Sequence, residues 1–223
     1  MPLPIPEVIL VHGLYHQPAH MQPLVDALEA RGATVHAPLL HRGSLEADTR
    51  AVQRAVDDCL QAPIVVGHSY GGAVAAGTHG ARLFVFIAAF VLDVGETCAE
   101  LGGPAAPVNA WVVPLPEGGT FVPAAVAREL FYGDCEPDAA GRAVALLVPQ
   151  APGHGRGRAA SAEWRRIESR FIVCSDDRAM SPALQHRMAE RCTSYEILDA
   201  SHSPYISRPT QVAATILRDA DLR

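Results

Sequence analysis

The stretch Ile64-Val65-Val66-Gly67-His68-Ser69-Tyr70-Gly71-Gly72 decides the fold of this 223-residue chain. Its apolar, β-branched start indicates a buried strand, and the small residues of Ala73–Ala76 indicate a helix. Between them, Gly67 to Gly71 fits the pattern G-x-S-x-G, in which a serine lies on a tight turn from strand to helix. Glycine on each side removes side chains that would clash in such a turn. We therefore predict that Ser69 is a nucleophile; a purely structural turn is the alternative.

Strands alternate with helices along the rest of the chain. This alternation predicts an α/β fold with a mostly parallel sheet of about six strands and helices on both faces. The predicted strands are Glu7–Val11, Thr34–Leu39, Ile64–Val66, Leu83–Ala88, Arg170–Cys174 and Tyr195–Leu198. The predicted helices of this part are Pro18–Ala30, Asp48–Leu60, Gly72–Thr78 and Thr210–Asp219.

The alternation stops between residues 93 and 162, a segment rich in glycine and proline that still carries bulky apolar side chains. It is too long for an ordinary loop and too apolar for a disordered linker. We predict an inserted lid at 93–162, partly helical at Pro123–Phe131 and Pro137–Leu147, on a core formed by residues 1–92 and 163–223.

A serine hydroxyl needs a neighbouring base to react at neutral pH. Among the ten histidines, His202 is the candidate because it follows the last predicted strand, within Ala200-Ser201-His202-Ser203-Pro204. An ordinary histidine of a surface loop is the alternative.

A third residue must keep the imidazole in the required tautomer, and it should follow the penultimate strand. We choose Asp177, because the longer loop to Pro182 places it clear of the strand end. Its neighbour Asp176 and, more remotely, Asp93 stay open. The order Ser69, Asp177, His202 along the chain is the order that G-x-S-x-G hydrolases use.

An acyl-transfer site also needs backbone N–H groups that stabilise an oxyanion. We predict these donors at Tyr70, directly after the serine, and at Leu14, in the turn after the first strand, where Gly13 permits a tight turn. His12 and His16 flank this turn, and we expect them to be buried and bonded to its backbone. Aromatic residues suggest an apolar or aromatic acyl pocket, although such residues usually fill a core; they are Tyr15, Phe90, Trp111, Phe131 and Tyr132.

Four motifs resemble the branch of the alpha/beta-hydrolase superfamily that contains plant methylesterases, hydroxynitrile lyases and small bacterial esterases. They are ILVHGLYH at 9–16, GHSYGG at 67–72, DRAMSPALQ at 177–185 and SHSPYISRP at 201–209. The resemblance places the family's aspartate on Asp177. It also implies a sheet of about six strands, because the chain starts almost at the first strand and the family's usual leading hairpin would be missing.

The resemblance implies ester hydrolysis. Hydroxynitrile lyases of this branch have threonine at the position of Gly13 and lysine at the position of Ser203, and this sequence has neither. Two other readings stay open, because a fold does not fix a function. In the first alternative the protein is a lyase, decarboxylase or cofactor-free oxygenase that uses the His–Asp pair as a base. In the second it is a ligand receptor with little turnover.

Composition limits the other classes. The formal net charge of −6 and the absence of a basic run argue against nucleic acid as a partner. The opening MPLPIPEVILVHG lacks the features of a signal peptide, and the longest apolar run, 83–92, is too short to span a membrane. Five widely spaced cysteines predict reduced thiols in a cytoplasmic protein.

We therefore expect a small-molecule substrate, no membrane partner and no cofactor. No G-x-G-x-x-G follows a strand, which argues against a dinucleotide. His36 and His41 have no neighbouring Cys or Asp to complete a ligand set, so we predict no metal. The sequence does not fix the oligomeric state, and a homodimer stays open.

Overall fold

Six parallel strands form the central sheet in the computed structural model, which describes residues 5–40, 43–104 and 106–218. In chain order the strands are β1 (Glu7–Val11), β2 (Thr34–His36), β3 (Ile64–His68), β4 (Leu83–Ile87), β5 (Val113–Pro114), β6 (Thr120–Phe121), β7 (Ser169–Cys174) and β8 (Ser194–Leu198). The six-stranded sheet has the order β2-β1-β3-β4-β7-β8, while β5 and β6 form a separate antiparallel pair. The predicted fold class and strand number are confirmed.

The strand order reverses between β1 and β3, which are parallel neighbours with Val11 paired to Gly67. In open parallel sheets, ligands bind outside the carboxyl ends of the strands at such a reversal. The turn after β1 and the turn that contains Ser69 both leave the sheet at this point.

Nine α-helices connect and cover the strands in the described part of the chain. They are α1 (Gln22–Glu29), α2 (Leu45–Asp57), α3 (Tyr70–Ala75), α4 (Cys98–Gly102), α5 (Ala124–Phe131), α6 (Pro137–Ala145), α7 (Pro182–Ala189), α8 (Pro204–Ser207) and α9 (Pro209–Ile216). None of the helices described has the length and apolarity needed to cross a bilayer.

Several predicted boundaries shift for local reasons. Helix α2 begins three residues earlier than predicted because Ser44 caps it, its Oγ accepting the Ala47 N–H. Strand β2 ends at His36, two residues before Pro38, which has no N–H to donate to a neighbouring strand. The predicted end of the last helix, Asp219, lies outside the described residues.

The pleat of the strands divides the core into two layers. Alternate strand residues such as Ile9, Val65 and Phe86 pack against α2, α3 and α7 on one face of the sheet. The intervening residues, such as Leu10 and Val66, pack against α1, α8 and α9 on the other face. The central strands are covered on both faces, and apart from terminal residues such as Glu7 and His68 they are apolar, as is typical of a parallel sheet.

The lid segment, residues 93–162, contains α4, the β5–β6 pair, α5 and α6. Helices α5 and α6 lie where the sequence predicted them, although α6 ends at Ala145, two residues early. Apolar residues of these helices form a third buried cluster together with Tyr15 and Ala179. The division of the chain into a core and a lid stays a prediction, but this segment packs directly on the loops at the carboxyl ends of the strands.

A pair of glycine substitutions tests the close approach of α3 to β1. A Cβ atom at residue 71 would lie 2.6 Å from the carbonyl oxygen of His12, whereas a Cβ at Gly141, inside α6, would meet no atom within 4 Å. Gly71→Ala should therefore destabilise the fold by about 3 kcal/mol or more. Gly141→Ala should stabilise it by about 0.5–1 kcal/mol through helix propensity.

The measurement is urea unfolding followed by circular dichroism. Equal stabilities of the two variants would contradict the close approach of the α3 backbone to the end of β1.

Candidate active site

Ser69 lies on a sharp turn between β3 and α3, as the G-x-S-x-G pattern predicts. Its backbone has φ +54° and ψ −123°, a conformation that residues other than glycine rarely adopt. The Ser69 N–H donates to the Ile87 carbonyl and the Ser69 carbonyl accepts from Phe90, so β4 and the loop after it hold the strained turn. A Cβ at Gly67 would lie 2.7 Å from the Gly71 carbonyl, which explains the glycine before the serine.

The turn after β1 lies directly beside Ser69. A Cβ at Gly13 would be 2.9 Å from the Cβ of Ser69 and 3.1 Å from Nδ1 of His68, so a larger residue there would press on the serine. Leu14 follows in this turn, and Tyr15 has a left-handed backbone with φ +64°. On the other side of the serine, Tyr70 is the first residue of α3, and N–H groups in the first turn of a helix lack helical partners.

The ring of His202 is bonded to a buried carboxylate. Nδ1 of His202 lies 2.7 Å from Oδ2 of Asp177, and both side chains are almost fully buried. Because a carboxylate only accepts, this bond places the proton on Nδ1 and leaves Nε2 as the unprotonated nitrogen of the neutral ring. His202 follows β8 and Asp177 follows β7, so two adjacent parallel strands deliver the pair.

Asp177 has hydrogen-bond partners on both oxygens. The N–H groups of Ala179 and Met180 donate to Oδ1 at 2.7 and 2.9 Å, and Nε2 of Gln185 donates to Oδ2 at 2.7 Å. Gln185 is fully buried and its Oε1 accepts the N–H of Cys174, the last residue of β7. Gln185 was not among the predicted site residues; the only signal for it was its place in the quoted motif at 177–185.

The two other acidic candidates lie apart from the ring. Asp176 is exposed, and its N–H donates to the Ala200 carbonyl. The Asp93 carboxylate pairs with Arg165, and that pair lowers the pKa of Asp93.

A cavity of about 830 Å³ brings Ser69 and His202 together. Leu14 and Tyr70 line it as well, and so do three of the five predicted pocket residues: Tyr15, Phe90 and Phe131. Many of the remaining lining residues, among them Val108 and Gln150, belong to the lid segment.

Two predicted pocket residues lie elsewhere. Trp111 is 47% exposed and is not among the lining residues, because it follows a short helical turn on the outside of the lid segment. Tyr132 is completely buried behind the cavity wall, and its hydroxyl donates to Nε2 of His16 at 3.0 Å.

Buried histidines surround the loop after β1. Nδ1 of His16 donates to the Leu14 carbonyl at 2.7 Å, and Nδ1 of His12 donates to the Gly13 carbonyl at 2.9 Å, as expected for histidines bonded to this loop. His68, whose role the sequence did not reveal, donates from Nε2 to the carbonyl oxygen of His202 at 2.9 Å. The ring of His20 lies 4.7 Å from that of His16, centre to centre.

Burial favours the neutral form of His16, His20 and His68. Burial, followed by the nearby imidazoles of His20 and His68, lowers the pKa of His16 well below its usual value. Burial also lowers the pKa of His68 strongly, with a further contribution from the adjacent His202, and it lowers the pKa of His20.

The lid segment is bonded to the same loop. The hydroxyl groups of Tyr15 and Thr120 lie 2.9 Å apart, and the Tyr15 N–H donates to Oε1 of the buried Gln150. The Val148 N–H donates to the Tyr15 carbonyl. The strained backbone of Tyr15 is therefore restrained from the lid side as well as from the sheet side.

Comparison with known proteins reveals one family. The sequence matches the model of the alpha/beta hydrolase family over residues 8–215. It is 26% identical to the alpha/beta hydrolase nvfD of Aspergillus novofumigatus over 95% of each chain.

Solved structures resemble the whole chain. A pyrethroid hydrolase from Sphingobium faniae JZ-2 superimposes with a TM-score of 0.86 and 26% identity, covering 98% of each chain. The methylesterase MES16 from Arabidopsis shares the fold, with a TM-score of 0.78 and 19% identity over 98% of this chain and 100% of the other.

The buried neutral histidines predict a loss of stability in mild acid. Their pKa is lower in the folded than in the unfolded protein, so the unfolded state binds more protons below about pH 6.5. Stability is full above that pH and should fall as the pH decreases toward the folded pKa values, by up to about 1.4 kcal/mol per pH unit for each histidine.

Urea unfolding between pH 7.5 and 5 measures this slope. His68→Gln should make the slope shallower, and His79→Gln, at an exposed position, should leave it unchanged. A flat profile across this range in the parent protein would contradict the neutral buried cluster.

Proposed function

Since the chain belongs to the alpha/beta hydrolase family, we propose that it is a serine hydrolase that cleaves a small-molecule carboxylic ester through an acyl-enzyme. One observation carries the proposal. Ser69 and His202 line the same cavity, and His202 is bonded through Nδ1 to the buried Asp177. This geometry leaves Nε2 of His202 free to take a proton, which is the requirement for activating a serine hydroxyl.

The acylation step uses Ser69 as the nucleophile. Its Oγ attacks the ester carbonyl carbon while His202 Nε2 accepts the hydroxyl proton, and Asp177 stabilises the resulting imidazolium. His202 then donates this proton to the leaving alcohol, and the acyl group stays on Ser69. In the second step His202 removes a proton from water, whose oxygen attacks the acyl carbon. The bond between this carbon and Ser69 Oγ then breaks, His202 returns the proton to Oγ, and the acid is released.

The negative oxygen of each tetrahedral intermediate needs donors that are already in position. We assign these donors to the N–H groups of Leu14 and Tyr70, which flank Ser69 from the ends of β1 and β3. The Gly13 carbonyl belongs to the same peptide group as the Leu14 N–H and accepts from Nδ1 of His12, so this N–H is oriented before substrate arrives. Neutral histidines suit this position, because they fix the loop without adding a positive charge beside the base.

The substrate is an ester with a bulky apolar part. The cavity volume of about 830 Å³ is near the upper end of the range for small-molecule sites, about 300–1,000 Å³. Its aromatic side chains, Tyr15, Phe90 and Phe131, supply an apolar surface for an acyl or alcohol group. The pyrethroid hydrolase that is 26% identical over nearly the whole chain supports a hydrolytic reaction.

Labelling with a fluorophosphonate tests the nucleophile. We expect one adduct per chain by intact mass, and neither adduct nor ester turnover in Ser69→Ala, because that change removes the nucleophilic oxygen. Ser181→Ala is the matched control, since Ser181 also lines the cavity but serves as the N-cap of α7. It should keep the adduct and lose only about 1 kcal/mol of stability.

Full labelling of the Ser69→Ala protein would overturn the assignment.

Turnover in water enriched in oxygen-18 then separates hydrolysis from other chemistry. Label in the released acid, over many turnovers per chain, supports the proposal; product formed without label, or a single turnover, contradicts it.

Replacing each of the two neighbouring aspartates by asparagine tests which carboxylate supports His202. Asp177→Asn should lower kcat by about 10⁴-fold, because an amide donor facing Nδ1 favours the wrong tautomer of His202. Asp176→Asn alters an exposed side chain and should change neither activity nor stability appreciably. The measurements are kcat with a nitrophenyl ester and the melting temperature of both variants; equal losses of kcat in the two would contradict the role of Asp177.

A further inference from the structure

Three potential metal ligands meet at the β2 edge of the sheet, beside the start of β1 and away from the cavity. They are Glu7, the first residue of β1, His36, the last residue of β2, and Cys59, which follows α2. A carboxylate oxygen, an imidazole nitrogen and the thiol sulfur all lie within 4.8 Å of one another. Ser69 follows the carboxyl end of β3, so this cluster takes no part in the proposed ester hydrolysis.

We propose that Glu7, His36 and Cys59 form a binding site for a zinc ion, with water as the fourth ligand. Thiolate, imidazole and carboxylate are the three side-chain ligands that Zn²⁺ takes in proteins. A thiolate in the set disfavours Mg²⁺ and Ca²⁺, which bind through oxygen.

The free protein has the ligands close to the required positions. In a tetrahedral zinc site the ligand atoms are about 3.3–3.6 Å apart, from bond lengths of 2.0–2.3 Å. Oε1 of Glu7 lies 3.8 Å from Nε2 of His36, too far for a hydrogen bond. The three ligand atoms lie within 4.8 Å of one another, so binding requires each pair to approach by about 1.2 Å at most.

The hydrogen bonding of the three side chains is compatible with a bound cation. Nε2 of His36 is a buried atom with no hydrogen-bond partner among the described residues. Such an atom is costly to bury unpaired, and a bound cation would satisfy it. The other carboxylate oxygen of Glu7 accepts the Gln61 N–H at 2.8 Å, which orients the carboxylate as a supporting contact does in a metal site.

The local charge also favours a cation. The carboxylate of Glu7 lies within 4.8 Å of the Cys59 thiol, and the acidic residue Asp58 directly precedes Cys59 in the chain. A divalent ion would neutralise the negative charge gathered here. An ion here would join β1, the edge strand β2 and the end of α2, so its effect would be on stability rather than on catalysis.

Cobalt titration of the tag-free, chelator-treated full chain tests the site, because Co²⁺ reports a thiolate ligand through a charge-transfer band. We expect the band to saturate at one equivalent of Co²⁺ and to disappear when Zn²⁺ is added. Cys59→Ser should abolish the band, and His36→Gln should weaken binding at least tenfold.

Cys192→Ser is the matched control. Cys192 is also partly buried after a helix, and its thiol donates to the carbonyl four residues earlier, as the thiol of Cys59 does. It should keep the band. Zn²⁺ should raise the melting temperature of the parent and of Cys192→Ser, and leave that of Cys59→Ser unchanged.

Three outcomes would overturn the proposal: no band in the parent at saturating Co²⁺, a band that persists in Cys59→Ser, or loss of the band in Cys192→Ser. Should Cys59→Ser fail to fold, His36→Gln decides instead, because unchanged affinity in that variant is incompatible with the site. Ester turnover should be the same in all of these variants, so the outcome does not depend on the proposed function.

Discussion

The close contact between the turn at Ser69 and the end of β1 is the constraint on which the rest of the site depends. Gly71 lies so near the His12 carbonyl that no side chain fits between them, and Gly67 lies equally near the Gly71 carbonyl. Because β1 and β3 are parallel neighbours at the reversal of the strand order, this contact places the loop after β1 directly beside the serine. The left-handed backbone of Ser69 is a local cost, which the surrounding hydrogen bonds offset.

Two sets of buried polar groups then fix the side chains around the serine. Asp177 has donors on both oxygens, so it presents an oriented carboxylate to His202. The neutral histidines bond to the loop after β1 and, through His68, to the backbone of His202 itself. Both sets lie where water is excluded, so each hydrogen bond is strong and each lost partner would be costly.

Much of this arrangement was predictable. Apolar, β-branched runs and helical spacing predicted six strands and their connecting helices. The four motifs indicated the family, which the family match and the similar structures confirm. The pocket was harder to predict. Trp111 and Tyr132 have the side chains of a pocket, yet Trp111 faces outward and Tyr132 supports His16 from behind the wall. Gln185 has no chemistry that distinguishes it in the sequence, and only its contacts with Asp177 and Cys174 give it a role.

By itself, the sequence determined the order of strands and helices, the turn at Ser69 and the loop positions of His202 and Asp177. These features depend on residues that are adjacent or regularly spaced along the chain, where sterics and periodicity act locally. Only the tertiary structure decided which aspartate faces His202, how the lid segment is bonded to Tyr15, and that Glu7, His36 and Cys59 meet. The physical reason is the same in each case: these contacts join residues that are distant in the chain, and their distances are set by the packing of the whole sheet and its helices.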